Sequence, residues 1–91
     1  MAADHIERHA RHDRTVRLLE ARLEALAAAT ERHLCTARAH EGEVLALELA
    51  TRHAVALQVV SADEAVAIWA AVASRHPAVR WCRSGADDLA A

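Results

Sequence analysis

The sequence predicts an α+β protein: a long N-terminal helix, a β-hairpin, a second helix and a short third strand, with a small antiparallel sheet and a dimeric assembly. Three observations lead there. Apolar and histidine residues recur at three-four spacing from His5 to His40, apolar residues alternate between Leu45 and Val59, and Ser61-Ala62-Asp63-Glu64 is a helix-starting signal. At 91 residues the chain is one domain, with a long helix over 4–40, a ββαβ unit over 43–84 and a frayed tail over 85–91.

The first helix rests on its stripe. His5, His9, His12, Val16, Leu19, Leu23, Leu26, Thr30, His33, Ala37 and His40 occupy successive a and d positions of a heptad, so the stripe is apolar in the middle and imidazole at both ends. No Gly or Pro interrupts it, and Ala, Leu, Arg and Glu favour helix throughout. A continuous helix over 4–40 is about 55 Å long at 1.5 Å per residue, too long to lie wholly on its own domain. Val16, Leu19, Leu23 and Leu26 therefore read as a short coiled-coil seam toward a second chain. The competing reading packs the same leucines inside the chain, against the sheet, with Leu18, Ala25, Ala28 and Ala29 widening the apolar face. On the flanks, Asp4 and Arg8, Glu7 and Arg11, and Asp13 and Arg17 are each placed for a helical ion pair, the acid leading.

Gly42 reads as the end of this helix, at the position where the backbone turns left-handed. Leu45, Leu47 and Leu49 then alternate, as do Val55, Leu57 and Val59, with Thr51, Arg52 and His53 between the two runs, which reads as a hairpin of half-buried strands. A helix is the rival for this stretch, because Leu, Ala and Glu are strong helix formers and no Asn-Gly or Asp-Gly turn is present. Ser61 and Glu64 form a capping box, Asp63 suits the positive end of a helix, and His76-Pro77 stops that helix near Arg75. Nine consecutive apolar residues, Ala65 to Ala73, require cover on several sides. Val79 and Trp81 alternate with Arg80 and Cys82 as a third strand, which a right-handed crossover places beside the first in spatial order two-one-three. The exposed edges of so small a sheet favour dimerisation.

Composition narrows the function. The net charge is −2, and the arginines of the first helix are interleaved with acids, so neither nucleic acid nor an anionic membrane surface is an expected partner. The absence of Lys, Phe, Tyr and Asn beside abundant Ala and Arg reflects a high-GC genome of bacterial type. Cys35 and Cys82 form no CxxC pair and the N-terminus lacks the apolar segment of a secretory signal, which points to reduced thiols in a cytoplasmic protein. No apolar run approaches the roughly 20 residues that cross a bilayer.

With two glycines, phosphate-cradling loops have little to draw on, and no paired-carboxylate site or activated nucleophile is legible; His76 and Cys82 have no third member. The expected function is a non-enzymatic, self-associating interaction module without cofactor. Its interface residues are Val16, Leu19, Leu23, Leu26, Ile68, Trp69 and Trp81, with a homodimer as the expected state and an unidentified protein as a further candidate partner. The alternative is a metal- or pH-responsive protein. His5, His9 and His12 project from one face on successive turns, a spacing that chelates Zn²⁺ or a similar transition metal and that a symmetry mate can complete. Histidines that face their mates across such a seam would repel when protonated and weaken association.

Overall fold

The computed structural model describes residues 2–34 and 36–79, with side chains from His5 onward. It is a three-helix protein: α1 spans Ala2–Glu31, α2 Ala37–Ala56 and α3 Ala62–Arg75. No strand occurs among the described residues, which corrects the expected α+β class and the small antiparallel sheet. The expected strand over 79–84 and the tail over 85–91 lie outside the described residues apart from Val79, which is buried in a bend.

The long helix does not reach His40. It ends at Glu31, where His33 adopts a left-handed φ of 57°, Leu34 N donates to Ala29 O at 2.9 Å and His33 N to Thr30 O at 3.1 Å. This is the Schellman pattern, with His where Gly is usual. Thr36 then caps α2, its hydroxyl accepting from Ala39 N at 3.1 Å. The heptad phase runs unbroken through the turn, so periodicity alone misses it.

The predicted hairpin is the body of α2. His40, Val44, Leu47, Glu48, Thr51 and Ala54 are its buried residues, a helical spacing, whereas Leu45 and Leu49 of the alternating run face solvent. Gly42 is an interior position of α2 and has no positive φ. A second Schellman turn ends α2: Gln58 has φ 60°, Gln58 N donates to Val55 O at 2.9 Å and Val59 N to Ala54 O at 3.0 Å. The capping box forms as the sequence predicts, with Glu64 N donating to Ser61 Oγ and Ser61 N to Glu64 Oε1, both at 3.0 Å. His76 is the C-cap of α3, followed by Pro77.

Two five-residue connections make the helices run up, down and up, so α1 and α3 are parallel and α2 is antiparallel to both. Leu19, Leu23 and Leu26 meet Val44 and Leu47 of α2 and Ile68, Trp69 and Val72 of α3 in one core, with Val16 packed at its edge. The seam is thus buried within the chain, as is Trp69 at 4 % exposure, while Trp81 lies outside the described residues. A reverse turn brings α2 back along α1 and supplies an apolar partner at far higher effective concentration than a second molecule could. The 30 residues of α1 account for about 45 Å at 1.5 Å per residue, close to the 48 Å long dimension of the molecule.

Candidate functional site

Polar groups inside the bundle tie the helices to one another. The Thr51 hydroxyl donates to Leu47 O at 2.6 Å and accepts from Trp69 Nε1 at 3.2 Å, joining α2 to α3 in the core. The Thr30 hydroxyl donates to Leu26 O at 2.9 Å, so at 2.9 Å from His40 Nδ1 it accepts from that nitrogen and joins α1 to α2. Glu48 is also buried, with one carboxylate oxygen lacking a hydrogen-bond partner.

The histidines engage differently. His12, on α1, contacts Glu64 of α3 through Nε2 and Asp13 through Nδ1 at 3.4 Å. Asp13 also faces His9, with His9 Nε2 4.0 Å from its Oδ2, and is directed to the imidazoles rather than to Arg17. The rings of His9 and His12 stack at a centroid separation of 6.4 Å. The Glu64 contact, followed by the Asp13 contact, raises the His12 pKa above its ordinary value, and the same contact holds the Glu64 carboxyl below the usual carboxylate range.

At the far end of the α1–α3 seam, Glu24 takes both basic groups that close α3. Its Oε1 lies 2.6 Å from Arg75 Nε and 2.5 Å from Arg75 Nη2, and its Oε2 lies 2.6 Å from His76 Nε2. The other nitrogen of His76 contacts Glu31, two turns further along α1. Hydrogen bonds from Glu24 and then Glu31 raise the His76 pKa, and those from His76 and then Arg75 lower that of Glu24.

These contacts place the predicted metal residues. His9 and His12 come together, but their neighbours are carboxylates already engaged in hydrogen bonds, and among the described residues no group of three or more His, Cys, Asp or Glu is arranged to hold a metal ion. His5 is exposed on the first turns of α1. Cys35 and Cys82 lie outside the described residues. Sequence reasoning missed Glu24, Glu31 and Glu64 as histidine partners, because each is about fifty positions from its imidazole and the pairing depends on the helix register.

Two features complete the surface. A cleft of about 340 Å³ lies between Arg8 and Arg11 of α1 and Leu57, Gln58 and Val59 after α2. The two arginines thus line a cleft that borders the C-terminal end of α2, where cations complement the helix dipole. On the outward side of α2, Gly42, Leu45, Ala46, Leu49, His53 and Ala56 are all exposed, spaced i, i+3, i+4, i+7, i+11, i+14. Leu45 and Leu49 are 56 % and 58 % exposed, and the stripe holds no acid and no arginine. No described helix is long and apolar enough to cross a membrane. Comparison with protein-family models, with curated proteins and with solved structures finds no match to this chain.

Proposed function

We propose that this chain is a small non-enzymatic interaction module that self-associates, a second copy docking on the outward face of α2. The observation that carries this reading is the exposed stripe from Gly42 to Ala56, with Leu45 and Leu49 at its centre. Exposed apolar residues scattered singly are ordinary, whereas leucines on adjacent turns within an uncharged face mark a contact surface.

A second copy is the occupant that the stripe itself favours. In an antiparallel two-fold pairing centred between Ala46 and Leu49, Gly42 faces His53 of the other copy and Ala46 faces Leu49, so each large side chain meets a small one. The same face used for a parallel pairing sets Leu49 on Leu49 and His53 on His53. The seam leucines of α1 serve the chain's own core in this reading, and the interface moves to α2.

Native mass spectrometry of the tag-free chain near neutral pH, with sedimentation equilibrium across the micromolar range, tests it. The expected result is a dimer that Leu49→Arg converts to monomer with unchanged helical circular dichroism. A wild-type monomer at every concentration, or a dimer that Leu49→Arg leaves intact, overturns it. The same spectra report bound mass, which is the readout for a metal on His5, His9 and His12.

A further inference from the structure

We propose that His76 is a proton-operated latch: as imidazolium it pins the C-terminal end of α3 to α1 through Glu24 and Glu31, and on losing a proton it lets that end of α3 separate from the bundle. Both ring nitrogens of His76 face carboxylates of α1, Nε2 at 2.6 Å from Glu24 and Nδ1 in contact with Glu31. An imidazolium donates from both nitrogens, whereas a neutral imidazole has one N–H and one lone pair. Whichever tautomer the neutral ring adopts, a lone pair then points at a carboxylate oxygen. Deprotonation therefore converts one of two charge-assisted hydrogen bonds into a repulsive contact.

The other charged group at the cluster does not replace the lost bond. Arg75 already engages Glu24 Oε1, the oxygen that His76 does not use, and among the described residues Glu31 has His76 as its hydrogen-bonding partner. No described residue of α2 donates to or accepts from the His76 ring. Among the described residues around Pro77, the His76 amide donates to Ala73 O at 3.2 Å and Val79 N to His76 O at 3.1 Å. Separation at His76 therefore reaches the last turn of α3 and the buried Val79 before it reaches the core around Leu23 and Leu47.

The direction is opposite to repulsion across a histidine seam, because here protonation closes the contact. It is independent of self-association through α2. The experiment is amide hydrogen exchange by NMR across pH 5.5 to 8.5, with the His76 ring followed in the same samples by its carbon-proton resonances. After correction for the intrinsic pH dependence of exchange, the expected result is a loss of protection at Ser74, Arg75, His76 and Val79 in step with His76 titration, at a pH above the ordinary imidazole value. Core amides of Leu23 and Leu47 keep theirs. Glu31→Gln, an exposed change that keeps a hydrogen-bonding group, lowers the pH of that transition, and His76→Gln abolishes it. Titration of His76 at or below the ordinary imidazole value, or protection that is independent of pH in the wild-type chain, overturns the latch.

Discussion

Glu24 Oε2 and His76 Nε2 meet at 2.6 Å across 52 positions of sequence, and His12 and Glu64, separated by the same 52 positions, meet at the other end of the same helix pair. The same offset thus recurs at the two ends of the parallel α1–α3 seam, each closed by an imidazole and a carboxylate with the donor and acceptor helices exchanged. Between the two closures lie the leucines of α1 and the apolar face of α3. The polar pairs close the seam at its two ends, and the apolar contacts between them set the register and supply most of the stabilisation.

Stability should be greatest in mildly acidic solution. The folded-state pKa values of His12 and His76 are raised from 6.5, so their contribution is fully present below that pH and is lost as pH rises through the folded-state values. Those of Glu24 and Glu64 are lowered from 4.5, so theirs is present above that pH and lost as pH falls through the folded-state values. Melting temperature measured by circular dichroism should therefore peak between about pH 4.5 and 6.5 and decline on both sides. Partial solvent exposure of all four groups keeps the amplitude small.

Gly42→Ala should stabilise the chain. Gly42 lies within α2 and a Cβ built there meets nothing within 4 Å, so the substitution gains helix propensity without a clash. Urea denaturation should show a gain of about 0.8–1 kcal/mol. A destabilised variant would mean that the glycine is needed for close approach to another surface, which the dimer reading allows only in the assembled state.

His33→Gly and Gln58→Gly should each stabilise by about 1 kcal/mol, because both residues hold positive φ at a Schellman turn where a side chain is strained. Loss of unfolded-chain restriction on introducing Gly offsets part of the gain. Alanine at either site serves as the control, since it keeps the strain and removes only the side-chain functional group.

Thr51→Val should cost about 1 kcal/mol despite its matching shape, because it removes the hydroxyl that accepts from the Trp69 indole. Leu23→Ala, at a fully buried site, should cost about 2–5 kcal/mol. Tryptophan fluorescence separates the two: Thr51→Val should change emission in the folded state at equal helicity, and Leu23→Ala should chiefly shift the unfolding midpoint.

By itself the sequence determined that residues 5–31 are helical, as part of an expected helix over 4–40, that Val16, Leu19, Leu23 and Leu26 form one apolar stripe, and that α3 starts at Ser61 and stops at His76. These are local properties, written in propensity, 3.6-residue periodicity and capping chemistry. The α1–α2 turn was hidden because His33 takes a conformation usually marked by Gly, while Gly42 sits in a helix where it signals nothing. Alternation of Leu45, Leu47 and Leu49 imitated a strand because two of the three leucines face solvent, which no periodicity argument anticipates. Tertiary structure alone decided which partner the α1 stripe buries against and which carboxylates the histidines meet. Both depend on the register between helices distant in sequence, which is set by the sum of core contacts and carries no local mark.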